Sequence, residues 1–176
     1  MKNHSPLIIL FFIFTTSVFA GNPSTIDLRK QFTEACQQEK IAETFYNNLS
    51  KSESKDPLYI GYKGAIQTVL AKYSYNPFCK YRNCKQGLNS MNLAIAASPE
   101  SLELRFLRLS IESNLPKFLN MAIHVNEDKS KIFSLLPKSQ DTDLNKRIVD
   151  MLLAKKLCSR EESTQLTKPD FRTIVD

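Results

Sequence analysis

Apolar side chains recur at helical spacing along this chain, and this periodicity constrains the fold more than any other feature. After Asp56-Pro57 the apolar steps are four, three, one, three and four residues, which places them on one face of an α-helix. Asp suits the N-cap and Pro the first helical position, so this helix is predicted to begin at Pro57. Only four glycines occur in 176 residues, which disfavours the many tight turns of a β-sandwich or barrel. The sequence therefore predicts an all-α fold.

Similar signals predict the other helices. The first segment forms either two helices, at about 25–36 and 38–52, or one bent helix. Asn76-Pro77 and Ser98-Pro99 repeat the signal of a cap followed by proline, and the helix after Pro99 has apolar residues over a wide arc, so we expect it to be central. Further helices are predicted to start near Asn126, at Asp141-Thr142 and at the capping box Ser159-x-x-Glu162.

Two glycines lie inside the helical segment that follows Pro57. Gly61 and Gly64 each cost about 1 kcal/mol relative to Ala in a helix interior. Close approach of a neighbouring helix would explain both residues.

The N-terminus has the pattern of a secretory signal peptide. An apolar run from Leu7 to Phe14 is followed by the small residues Val18 and Ala20, so cleavage is predicted between Ala20 and Gly21. The alternatives are a buried first helix or an uncleaved anchor, but the run is shorter than the ~20 residues that span a bilayer. We therefore expect a signal peptide at 1–20, a single helical domain at 21–166 and a loose tail at 167–176. The mature chain is expected to have no transmembrane segment and to be periplasmic or extracellular.

The chain has four cysteines, Cys36, Cys79, Cys84 and Cys158. In an exported chain they allow two disulfides in three pairings, or they remain as buried free thiols. If a helix begins at Pro77, Cys79 and Cys84 are separated by a rise of about 7.5 Å. This exceeds the ~7 Å between the Cα atoms of a disulfide, so these two are predicted not to be bonded to each other.

One short segment resembles the second helix of a tetratricopeptide repeat. Gly87, Met91, Ala94 and Pro99 supply the small, bulky, small and proline residues at spacings of four, three and five. The preceding helix does not follow the 34-residue unit, so the repeat is degenerate. The resemblance implies antiparallel helical hairpins stacked in a tetratricopeptide-like array of about 6–8 helices.

A second resemblance extends over most of the mature chain. The runs at 62–65, 71–77, 104–108 and 113–116 resemble those of a group of small exported bacterial proteins with no assigned activity. This resemblance implies an α-helical fold and a Gram-negative envelope setting, and it implies no catalytic residue.

The residues that usually carry chemistry are scarce. Only His124 remains after the predicted cleavage, there is no Trp, and Cys79 and Cys84 do not have a common zinc-binding spacing. Carboxylates such as Glu100, Glu103, Glu127 and Asp128 form no distinctive pair for sugar hydrolysis. We therefore predict no catalytic residue, no cofactor and no metal site. Arg108 and Glu112, four residues apart, are predicted to form a helix-surface pair, with Arg105 also at the surface.

The most distinctive local feature is a segment of aromatic and basic residues that we call the basic-aromatic segment. It contains Tyr73, Tyr75, Phe78, Lys80, Tyr81, Arg82 and Lys85. Such residues bind anionic chains by stacking and charge. In the competing and favoured interpretation, the aromatic rings lock an interhelix turn and the cations are solvated.

Two classes of function remain from the sequence. The first is a non-catalytic module of the cell envelope that binds a protein or peptide, or an anionic glycan or lipid head group. Export disfavours nucleic acid as the partner. The second is a small envelope enzyme or a carrier of an apolar ligand, which require a polar cleft and a cavity, respectively.

Overall fold

The computed structural model describes residues 24–167, and this part of the chain is all helical, without β-strands. The prediction of an all-α protein with about 6–8 helices is confirmed. The predicted signal peptide at 1–20, its cleavage site at Ala20 and Gly21, and the tail beyond Thr167 lie outside the described residues. The α-helices are α1 (Thr25–Ala35), α2 (Glu39–Lys51), α3 (Pro57–Leu70), α4 (Pro77–Ala97), α5 (Leu102–Glu112), α6 (Val125–Leu135), α7 (Thr142–Ala154) and α8 (Arg160–Leu166), with 3-10 turns at Ala71–Tyr73, Lys117–Leu119 and Leu136–Lys138.

Local signals set most helix starts where the sequence predicts them. The Asp56 carboxylate accepts a hydrogen bond of 2.8 Å from the backbone N–H of Leu58, and Pro57 is the first residue of α3. Asn76 caps α4 in the same way, and the capping box at Ser159 begins α8. The first segment is two helices, α1 and α2, rather than one bent helix.

The predicted start at Ser98-Pro99 is wrong. Ser98 ends α4, because its N–H donates to the carbonyl of Ala94 at 3.0 Å. The next helix begins three residues after Pro99, where the Ser101 side chain accepts from the N–H of Leu104 at 3.3 Å. A cap is decided by which side chain reaches the free N–H groups, and the serine before the proline is already part of the preceding helix end.

The helices pack as neighbours in sequence and also in alternation. Each helix from α1 to α5 contacts the next helix along the chain. In addition, α1 contacts α3, α3 contacts α5, and α5 contacts α7. This is compatible with hairpins in series, while the tetratricopeptide-like stack stays a prediction.

Helix α5 joins two apolar cores. Leu107 and Ile111 belong to the core formed with α1 to α4, whereas Leu102 and Leu109 belong to the core formed with α6 to α8. Leu104 packs against Ala94 and Ile95 in a third, smaller cluster. The central position predicted for this helix is therefore confirmed.

Helices α3 and α4 cross at two glycines. A Cβ atom on Gly64 would lie 2.5 Å from the carbonyl oxygen of Gly87, and one on Gly87 would lie 2.4 Å from the carbonyl oxygen of Gly64. Gly61 faces the side chain of Leu104, whose Cδ2 would be 2.3 Å from an added Cβ. The close approach predicted from Gly61 and Gly64 is confirmed, and it fixes α4 against α3.

Among the helices of residues 24–167, none combines the length and the apolar character needed to cross a membrane.

Candidate functional site

A groove of about 870 Å³ opens between several helices of the described chain. It is lined by α1, α3, the first two turns of α4, α5, the loop around 114–119 and Arg147 of α7. Its volume lies within the range of pockets that bind small ligands, roughly 300–1,000 Å³. Most of its wall is apolar and comes from Phe32, Val69, Phe106, Leu107, Ile111 and Leu115.

The beginning of α4 forms one wall of the groove. Pro77, Lys80, Tyr81 and Cys84 are spaced at i, i+3, i+4 and i+7, so they share one helical face. From Cys84 onward this helix contributes buried residues, whereas its first two turns are largely exposed. Those two turns are therefore free to line the groove.

Aromatic side chains stand at the mouth of the groove. Tyr81 of α4 and Phe118 of the loop after α5 both line it, yet they remain 49% and 85% exposed. The mouth is thus flanked by rings from two separate elements.

All charged residues that line the groove in the described part of the chain are cations. They are Arg29, Lys72, Lys80 and Arg147, and no Asp or Glu is among the lining residues there. Exposed Lys80 makes no ion pair with a described residue, and the Lys72 ammonium donates to the neutral carbonyl of Cys36. Lys72 and Lys80 therefore keep a positive charge that no described carboxylate offsets, which favours an anionic group in the groove.

The remaining two cations are neutralised locally. Arg29 donates from Nε and Nη2 to the two carboxylate oxygens of Glu103, each at 2.8 Å, and from Nη2 to Asp141 at 2.6 Å. Burial alone would lower the pKa of Arg29, but the hydrogen bonds and charges of Glu103 and Asp141 raise it above its usual value. Arg147 donates to Asp143 at 2.9 Å.

The hydroxyl of Tyr62 completes the polar floor of the groove. It donates to Oε1 of Glu103 at 2.6 Å, and burial, together with the Glu103 charge, raises the pKa of Tyr62 well above its usual value. Glu103 accepts from Arg29 and Tyr62 at once, so its carboxylate is engaged rather than poised to act as a base.

Two thiols lie in the groove wall. Burial raises the pKa of Cys36 and of Cys84, which lowers the fraction of nucleophilic thiolate at neutral pH. All four cysteines of the chain are free thiols in the structure, and α4 begins at Pro77 as predicted, so Cys79 and Cys84 are not bonded to each other.

A smaller recess of about 390 Å³ shares Arg29 with the groove. Its carboxylates are already engaged, because Asp56 caps α3 while Glu103 and Asp141 bind Arg29. No group of three or more potential metal ligands occurs within residues 24–167.

The basic-aromatic segment is divided by the structure. Lys80 and Tyr81 line the groove, whereas Arg82 and Lys85 are exposed and do not. Tyr73 is half-buried and packs against the first core. Tyr75 and Phe78 are 102% and 83% exposed, so the prediction that the aromatic rings lock the turn holds for Tyr73 and is wrong for these two.

The predicted surface pair of Arg108 and Glu112 is also wrong. Both residues are buried, and Arg108 donates from Nε and Nη2 to the two oxygens of Asp128, each at 2.7 Å. Glu112 accepts from the backbone N–H of His124 at 2.7 Å and lies 2.8 Å from its Nδ1. Buried Arg105 also contacts Asp128, because α6 covers the face of α5 that the i, i+4 spacing assigned to solvent.

Sequence reasoning missed most of the groove. Arg29 and Phe32 of α1 and Cys36 at its C-terminal end follow helical spacing, so an arginine beside apolar residues on one helix face was a usable signal for the floor of the groove. Lys72, Phe106 and Arg147 come from three distant segments, and no local pattern joins them.

No protein-family model matches the chain, and no match was found among curated proteins or among solved structures.

Proposed function

We propose that this protein is an exported, non-catalytic binding protein whose groove takes a small amphiphilic anion, with an apolar body and one acidic end group. The observation that carries the proposal is an apolar groove of about 870 Å³ in which every charged lining residue within 24–167 is a cation. Apolar walls bind the body of the ligand, and a few polar groups fix its orientation.

The four cations that line the groove differ in whether a carboxylate already binds them, and this difference suggests separate roles. Arg29 and Arg147 are held by carboxylates, so they shape the floor. Lys72 and Lys80 have no carboxylate partner among the described residues, so they are the groups that pair with the acidic end of the ligand. The engaged carboxylates and protonated thiols support binding over catalysis.

Calorimetric titration with straight-chain carboxylates tests this function. We expect dodecanoate to bind and affinity to fall roughly 15-fold for each step to decanoate and octanoate, because each step removes two methylenes that contribute ~0.8 kcal/mol each when buried. Dodecylamine, which has the same chain and the opposite charge, should bind far more weakly.

Variants locate the site. Lys72→Gln with Lys80→Gln should weaken dodecanoate binding, and Ser110→Phe should block it by filling the groove. The matched control is Lys30→Gln with Lys40→Gln, which removes two exposed charges on α1 and α2. If no carboxylate binds, or if dodecylamine binds equally well, the proposed function is wrong.

A further inference from the structure

Exposed aromatic rings form a projecting rim beside the groove. Tyr75, Phe78 and Tyr81 project from the start of α4 and the residues before it, and Phe118 projects from the loop after α5. Phe78 and Tyr81 are neighbours on the helix surface at i and i+3. Tyr81 and Phe118 line the same groove, so the two elements meet at its mouth. Exposed apolar rings that are gathered in one region, rather than scattered singly, are typical of an interaction surface.

The chain around this rim has charge of one sign. Residues 57–99, which include α3 and α4, contain no Asp or Glu, and neither do residues 113–126. The exposed cations of these stretches include Arg82 and Lys85 of α4 and Lys117 beside Phe118. The net charge of +6 for the whole chain is modest, but the absence of carboxylates from these stretches concentrates positive charge at the rim.

We propose that this rim, made of Tyr75, Phe78, Tyr81 and Phe118 with Arg82, Lys85 and Lys117, docks the protein on an anionic lipid surface. The Tyr side chains, with one polar end, favour the level of the lipid head groups, and the apolar Phe rings favour the boundary with the acyl chains. Nearby cations are attracted to anionic lipids. A groove that opens among these rings would then face the bilayer. Docking depends on the rim alone, whereas uptake of a ligand from the bilayer rests on the proposed function.

Vesicle sedimentation tests the docking. The purified protein should sediment with vesicles of phosphatidylcholine and phosphatidylglycerol but not with vesicles of phosphatidylcholine alone, and added salt should release it. Arg82→Glu, Lys85→Glu and Lys117→Glu together should weaken vesicle binding by at least about 100-fold, since each lost cation near an anionic surface contributes roughly fivefold in affinity and each added carboxylate is repelled. Tyr75→Ser with Phe78→Ser should weaken it as well.

Two controls separate the possible outcomes. Lys30→Glu, Lys40→Glu and Lys146→Glu together change the net charge equally at exposed sites on α1, α2 and α7, and this variant should bind vesicles like the parent. The rim cations that are reversed do not line the groove, so dodecanoate binding should be unchanged in the rim variant. The docking proposal is wrong if the protein binds both kinds of vesicle equally well, if both charge variants lose binding equally, or if the protein binds no vesicles. In the last case a protein would be the more suitable partner for the rim.

Discussion

At the scale of single residues, the buried charges of α5 organise the molecule. Glu103 binds Arg29 of α1, Arg105 and Arg108 bind Asp128 of α6, and Glu112 binds His124 just before α6. A buried charge is costly unless it is paired and hydrogen-bonded, and each of these charges has a partner from another element. The pairs therefore favour one placement of α1 and α6 against α5.

Asp128 provides the sharpest test of these pairs. It is fully buried and accepts hydrogen bonds from both Arg105 and Arg108. Asp128→Asn should lower the free energy of unfolding by about 3–5 kcal/mol in urea denaturation, because it leaves two buried cations without a full countercharge. Glu127→Gln is the matched control: its side chain is 56% exposed, so the expected loss is below ~1 kcal/mol. Similar losses for both variants would show that the buried position of Asp128 does not matter.

At the scale of helices, the crossing of α3 and α4 sets the geometry of the groove. The backbones touch at Gly64 and Gly87, and Thr68 donates to the carbonyl of Gly64 at 3.1 Å in the same contact. This crossing aligns the two helices, so the first turns of α4 extend past the core and provide Lys80 and Tyr81 to the groove.

Gly87→Ala should therefore destabilise the protein even though Ala is the better helix former. Its Cβ would meet backbone at 2.4 Å and the Thr68 hydroxyl at 2.2 Å, and overpacking of this kind costs about 1–3 kcal/mol or more. Gly61→Ala is the comparison, because its Cβ meets the flexible end of Leu104 and gains about 1 kcal/mol in helix propensity. The melting temperature, followed by circular dichroism, should be clearly lower for Gly87→Ala than for Gly61→Ala. The reverse order would contradict a backbone contact between Gly64 and Gly87.

At the scale of the whole molecule, ion pairs connect distant parts of the chain. Arg29 near the start of the described chain binds Asp141 at the N-terminus of α7, so α1 and α7 are tied together across more than a hundred residues. The free energy of unfolding should therefore fall as Asp141 and other paired carboxylates are protonated at low pH.

The pKa of Asp141 is lowered in the folded protein, first by its hydrogen bond from Arg29, and the pKa of Asp143 is lowered first by Arg147. A lowered folded-state pKa contributes stability above the unfolded value of 3.8 and loses it as pH falls toward the folded value. The melting temperature should fall between about pH 5 and pH 3. Asp141→Asn, which keeps a capping side chain on α7, should make that fall shallower. An identical pH profile in both proteins would exclude a contribution from this pair.

The sequence by itself determined the helices and most of their ends. Capping at Asp56-Pro57, Asn76-Pro77 and Ser159 involves residues within one turn of each other, so the pattern is readable locally. The central position of α5 was readable too, from its broad apolar arc. Gly61 and Gly64 indicated that a neighbouring helix approaches closely. They did not indicate that Gly87 is the residue that contacts Gly64.

Only the tertiary structure decided which charges are buried and where the groove lies. Helical periodicity states which side chains share a face, but not which element covers that face. The spacing of Arg108 and Glu112 suits a surface pair. In the structure α6 and the residues before it cover both side chains, so Arg108 binds Asp128 and Glu112 binds His124 instead. Likewise, Phe32, Lys80, Phe106 and Arg147 line one groove only because contacts between distant segments bring α1, α4, α5 and α7 to a common wall.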